Sequence, residues 1–304
     1  MAPLEMFTGL SGFPITPADE DGRVDTALLN GMLSRLVDAQ IDSVGLLGST
    51  GSYPYLNRSE RLRAIESAIQ LIGGAIPVIV GIGALRTDDA IANAKDAHKA
   101  GADGLLLAPM AYTPLTHDEV FEHFRAVAAA TDLPICIYNN PTNTNFTVTV
   151  PLLKRLAKID TILAIKNPAP ARTDAAQTQA TLRAVVPDNF AVGFSGDWNT
   201  PYALQAGGDA WYSVVGGLFP VPTLALCNAA RANDADKVES LMKLFQPLFD
   251  LFQECTSLRV VYAAANILGL TTTQAPRPIL PLSKFDYDRV ENSIAPLVNF
   301  SAGK

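Results

Sequence analysis

Cysteine is scarce in this chain: Cys136, Cys227 and Cys255 are the only three, odd in number and without CxxC spacing. That usage fits a reduced, cytoplasmic compartment. Cys136 lies in the apolar run Leu133-Pro134-Ile135-Cys136-Ile137 and reads as a small buried hydrophobe rather than a nucleophile. Histidine is as rare. His98 and His117 fall in separate helical regions, and His123 shares a helix with His117 at a spacing that gives no common ligand face. No catalytic metal is therefore expected. Lysine and arginine never cluster, and the net charge is -7 with a pI of about 5.0. Both facts argue against a nucleic-acid or anionic-membrane partner, which needs concentrated positive charge. No apolar run approaches the roughly 18 residues of a membrane span. The segment from Met1 to Thr8 has no basic stretch followed by a long apolar one, so no secretory signal is expected. A P-loop and a G-x-S-x-G element are also missing, and Gly81-Ile82-Gly83 lacks the third glycine of a dinucleotide fingerprint.

What is present is apolar material in a regular arrangement. The 304 residues are 48% hydrophobic and 17% charged, enough for a sizeable core and too apolar for disorder. Short β-favouring runs recur at Gly9 to Ile15, Ser43 to Leu47, Pro77 to Val80, Gly104 to Leu107, Leu133 to Tyr138, Thr161 to Ile165, Phe190 to Phe194 and Trp211 to Val215. Near-continuous apolar strands belong to a parallel sheet buried on both faces. Amphipathic helices are predicted between them, among them Arg58 to Ile72, Asp88 to Lys99 and His117 to Ala130. Eight such strand–helix repeats predict a closed (β/α)8 TIM barrel over residues 1–221. Residues 222–304 still read as helical, with segments at Asp234 to Phe252, Ser257 to Leu268 and Asp286 to Leu297. They predict a C-terminal helical extension packed on the barrel.

In such a barrel the chemistry lies at the C-terminal ends of the strands. Lys166 follows the buried-strand pattern Ile162-Leu163-Ala164-Ile165, whereas the other lysines have polar neighbours or lie near the chain end. Burial favours its neutral amine, a nucleophile towards carbonyls. The plainer reading is a structural lysine that snorkels out or pairs with a carboxylate, and position alone leaves both open. Tyr138 ends the neighbouring strand, where its phenol is either a proton relay for that amine or an aromatic plug. The turn Gly48-Ser49-Thr50-Gly51 offers two hydroxyls and successive N–H groups suited to a carboxylate, although such turns are common.

With those residues in view, the chain resembles the dihydrodipicolinate synthase / N-acetylneuraminate lyase family of class I aldolases over essentially its whole length. The resemblance rests on Gly48-Ser49-Thr50-Gly51, Pro77 to Ala84, Tyr138-Asn139-x-Pro141, Ile165-Lys166 and Ser195-Gly196-Asp197, in that order. It implies Lys166 as the Schiff-base lysine and Tyr138 as the proton-relaying phenol. Ser49 and Thr50, with Gly51, would bind the substrate carboxylate, and Ser49 would join the relay. Tyr212 would line the site near the imine. The substrates implied are pyruvate or another 2-oxo acid and an aldehyde, with no cofactor beyond the lysine imine and assembly as a homotetramer or homodimer.

The chain also departs from the family pattern. Ser52 stands where a glutamate is common, and Asn167-Pro168 follows the lysine. Asn143 takes the place of the arginine that grips the second substrate's carboxylate in dihydrodipicolinate synthases, and Asn145 that of a glycine. Tyr112, in Pro109-Met110-Ala111-Tyr112, is offset by one residue from the family's inter-subunit tyrosine. Loss of a guanidinium–carboxylate fork favours a neutral, hydroxyl-bearing second substrate. Two further readings stay open: a dehydratase of 2-oxo-3-deoxy sugar acids using the same imine, and a non-catalytic 2-oxo-acid-binding paralogue.

Overall fold

The computed structural model describes residues 4–303. Eight parallel strands close into a barrel in chain order: β1 (Gly9–Gly12), β2 (Ser43–Leu46), β3 (Val78–Gly81), β4 (Gly104–Leu107), β5 (Ile135–Tyr138), β6 (Ile162–Pro168), β7 (Ala191–Ser195) and β8 (Ala210–Ser213). Closure is made by β1 against β8, with Gly9 opposite Ala210 and Gly12 opposite Ser213. The expected strands are all present, with shifted ends. β1 stops at Gly12 because Pro14 has no N–H to continue the ladder. β6 runs on to Pro168, so Lys166 lies within the strand rather than just beyond it.

The barrel helices are α1 (Thr26–Asp38), α2 (Arg58–Ile72), α3 (Thr87–Ala100), α4 (His117–Ala128), the single turn α5 (Pro141–Thr144), α6 (Val150–Leu156), α7 (Ala175–Arg183), α8 (Thr200–Gln205) and α9 (Pro220–Arg231). Local chemistry sets their ends. Asn57 caps α2 by accepting from the Glu60 N–H, and Gly73 closes it in a left-handed conformation with φ 57°. Thr116 and Glu119 form a reciprocal capping box on α4. α4 ends at Ala128, two residues short of the expected Ala130.

α9 straddles the expected boundary at 221/222 and packs against β1 and α8, the place of the barrel's eighth helix. Three further helices follow: α10 (Ala235–Cys255), α11 (Ser257–Ile267) and α12 (Lys284–Ser301). α10 and α12 outrun their expected ends at Phe252 and Leu297, and each accommodates an internal proline, Pro247 and Pro296. No helix among the described residues is long and apolar enough to cross a membrane.

Two apolar layers result. One lies between the strands and the helices. The other fills the barrel itself, where Ile79, Leu106, Cys136, Ala164, Ala191 and Ala210 lie beneath Phe13, Tyr138 and Tyr212. Phe13 dictates glycine opposite it. A Cβ on Gly45 would come within 2.2 Å of the Phe13 ring, and one on Gly48 within 2.5 Å. Because Phe13 is 1% exposed and walled in, Gly45→Ala should destabilise the protein by about 1–3 kcal/mol or more. A lowered denaturation midpoint at unchanged slope would register it, and an unchanged midpoint would mean that the ring has room to retreat.

Candidate active site

At the C-terminal mouth of the barrel, Lys166 projects inward from β6. It is 4% exposed. Its Nζ lies 3.9 Å from the centroid of the Phe13 ring, 4.6 Å from that of Tyr138 and 5.8 Å from that of Tyr212. Burial holds its ammonium below the ordinary lysine range, against opposing pulls from Tyr138, Cys136 and Asp197. None of the ion pairs among the described residues includes it. Asp197, the carboxylate whose field reaches it, is committed elsewhere: it accepts from Trp211 Nε1 at 2.8 Å and the Val215 N–H at 2.7 Å. The structural alternative of a lysine paired with a carboxylate therefore finds no partner.

Tyr138 stands directly opposite Lys166 in the β5–β6 ladder. An irregularity sets this register. Ile135 pairs with Ile162, but Cys136 pairs with Ala164, so Leu163 is an extra residue on β6. Without that bulge Tyr138 would face Ile165. With it, phenol and amine share the inner face. The Tyr138 Oη lies 3.1 Å from Ser49 Oγ and accepts from Asn140 Nδ2 at 2.7 Å.

Ser49 belongs to the turn after β2. Left-handed Leu47 (φ 55°) and Ser52 (φ 54°) bracket this turn, an arrangement that costs local backbone energy. Ser52 N–H bonds back to the Ser49 carbonyl at 3.0 Å. Among the described residues, the N–H groups of Ser49, Thr50 and Gly51 meet no acceptor within the chain. That leaves three donors and two hydroxyls for an anion at the barrel mouth.

Lys166, Tyr138 and Ser49 are thus brought together, and Tyr212 forms the inner wall beside them. Tyr212 is buried, meets Phe13 edge-on at 6.1 Å and takes a contact from Cys136 Sγ at 3.5 Å. Burial pushes its phenol well above the ordinary range and that of the Cys136 thiol to about 12. Asn143 and Tyr112 are not part of this cluster. Asn143 is exposed on α5, and Tyr112 is 92% exposed on the β4–α4 loop. Asn145 donates to the Ala111 carbonyl at 3.3 Å, tying these two loops together.

Three contributors escaped the sequence reading. Phe13 packs the lysine, and its signature was the pair of glycines facing it across β2. Asn140 bonds the relay phenol, and its only signal was a polar residue between a strand end and Pro141. Asp197 was noted within a motif, without its role in holding the turn after β8.

The comparisons with known proteins agree with this geometry. The dihydrodipicolinate synthetase family model matches residues 6–296. The 4-hydroxy-tetrahydrodipicolinate synthase of Nitrosomonas europaea is 32% identical over 291 residues, covering 95% of this chain and 98% of that protein. The crystal structure of a dihydrodipicolinate synthase from Agrobacterium tumefaciens superposes with a TM-score of 0.96 at 56% identity, covering 97% of this chain and 99% of that one. The enzyme of the same name from Aquifex aeolicus superposes with a TM-score of 0.88 at 27% identity, covering 94% and 97%.

Barrel and relatives together define a lyase of the class I aldolase type. The chain belongs to the dihydrodipicolinate synthetase family.

Proposed function

We propose that this enzyme joins a 2-oxo acid such as pyruvate to an aldehyde, or cleaves the product, through an imine on Lys166. The carrying observation is the amine of Lys166, packed between the Phe13 and Tyr138 rings, beside a phenol hydrogen-bonded to Ser49 and Asn140. The neutral amine adds to the 2-oxo carbon, and Tyr138 gives a proton to the carbinolamine hydroxyl, which leaves as water. The substrate carboxylate sits on the free N–H groups and hydroxyls of Ser49, Thr50 and Gly51. The protonated imine withdraws electrons from C3. Loss of a C3 proton then forms an enamine, which adds to the aldehyde carbon, and hydrolysis frees the product and the lysine. The lysine supplies the electrophile, so no cofactor is required.

For the second substrate we propose a neutral, hydroxyl-bearing aldehyde. Asn143 offers an amide where a guanidinium would grip a carboxylate, and it stands exposed beside the mouth. Exposed Tyr112 is an aromatic that a second copy of the chain would cover, in keeping with a dimer or tetramer. Its free thiols, two of them buried, suit a reduced cytoplasmic setting.

The test is borohydride reduction in the presence of pyruvate and longer 2-oxo acids, with intact-mass and peptide analysis. A reduced adduct on Lys166 is expected. No adduct from folded protein would overturn the imine and leave a 2-oxo-acid-binding role. Product analysis then separates pyruvate plus aldehyde from a dehydrated acid. Efficient condensation with aspartate semialdehyde would count against a neutral partner.

A further inference from the structure

We infer that Asn140 is a positioning residue for the proton relay, holding the Tyr138 hydroxyl with its hydrogen towards Ser49 and the substrate. This rests on the imine reading above. A phenol has one hydrogen and can accept two bonds. The Asn140 Nδ2 group can only donate, so its 2.7 Å contact occupies an acceptor site on Tyr138 Oη. The hydrogen is left free to point at Ser49 Oγ, 3.1 Å away, or at the oxygen of a bound carbinolamine. Once Tyr138 has released that proton, the same N–H faces a phenolate and the contact becomes charge-assisted. Asn140 therefore acts on both sides of the transfer, without touching substrate.

The backbone that carries this side chain is well fixed. Asn140 opens the single turn α5, where its carbonyl accepts from the Asn143 and Thr144 N–H groups, each at 3.0 Å, and from Thr144 Oγ1 at 2.9 Å. The turn that carries the second-substrate candidate Asn143 is thus the one that aims the relay. Binding at Asn143 and proton transfer at Tyr138 are linked through Asn140, whose carbonyl holds the Asn143 N–H and whose amide holds the phenol.

The measurement is exchange of the pyruvate C3 protons with D2O, followed by NMR, which needs the imine and the relay but no aldehyde. In Asn140→Ala the exchange turnover should fall about 10- to 100-fold, while the pyruvate KM changes less than about threefold. Asn140→Asp keeps the shape but presents an acceptor, and should lose at least as much. In a Tyr138→Phe background the Asn140→Ala change should add nothing, because it acts through the missing hydroxyl. Undiminished exchange in Asn140→Asp would overturn the inference, as would an equal further loss in the Tyr138→Phe background. A wild-type protein that traps pyruvate on Lys166 keeps the imine reading intact in either case. A wild type that neither traps nor exchanges overturns both.

Discussion

Lys166→Met is expected to abolish imine formation and to give a folded protein more stable than the wild type. Methionine has similar length and no amine, so borohydride trapping should vanish and turnover should fall by at least about 10⁴-fold. The stability gain follows from burial. Lys166 is 4% exposed and forms no ion pair among the described residues, so burial destabilises its ammonium in the folded state, where its pKa lies below the ordinary value. At pH values between the lowered folded pKa and the ordinary one, the unfolded chain binds more protons, and wild-type stability rises with pH. The penalty is full below the folded pKa and gone above the ordinary value. Denaturant titrations should therefore show the methionine variant's advantage shrinking as pH rises through that window. A constant advantage would mean that Lys166 titrates normally. An adduct persisting in the variant would move the chemistry to another amine.

Tyr138→Phe carries the second large effect. The phenyl ring keeps its place against the lysine, centroid to Nζ 4.6 Å, so packing survives. What disappears is the hydroxyl between Ser49 and Asn140. Positioned proton transfer contributes about 10²–10⁴-fold, and turnover should fall by that order. Pyruvate should still be trapped, more slowly, because the amine and the carboxylate turn are untouched. Stability should change by no more than about 1 kcal/mol, since half-buried Asn140 and Ser49 can turn to water. Full activity would remove Tyr138 from the relay. Loss of trapping together with a lowered unfolding midpoint would make it chiefly a packing residue.

Several parts of this picture were legible one residue at a time. The strands appeared as apolar runs because both faces of a barrel strand are buried, so no polar alternation interrupts them. α2 was readable from end to end, Arg58 to Ile72, because Asn57 and Gly73 are strong stop signals on either side of an amphipathic stretch. Lys166 stood out as a lysine in an apolar strand. Asn140 and Phe13 did not stand out. A polar residue before a proline is ordinary turn chemistry, and a phenylalanine in an apolar run is ordinary core. Phe13 acquires meaning only from the lysine and the glycines that other strands bring to it, and Asn140 only from a phenol two residues before it whose own partners, Lys166 and Ser49, come from other strands.

The sequence by itself determined the repeating strand–helix alternation, the burial of the strands and the chemical types at their ends, because periodicity and local capping are encoded within a few residues. Tertiary structure decided which groups meet. Ser49 and Tyr138 are 89 positions apart, and only closure of the barrel puts their oxygens 3.1 Å from each other. The extra residue Leu163 on β6 sets Tyr138 opposite Lys166 instead of Ile165. A bulge of this kind answers to the packing of the two strands and the interior as a whole. No window of the chain contains that information, because the offset between two strands belongs to neither of them alone.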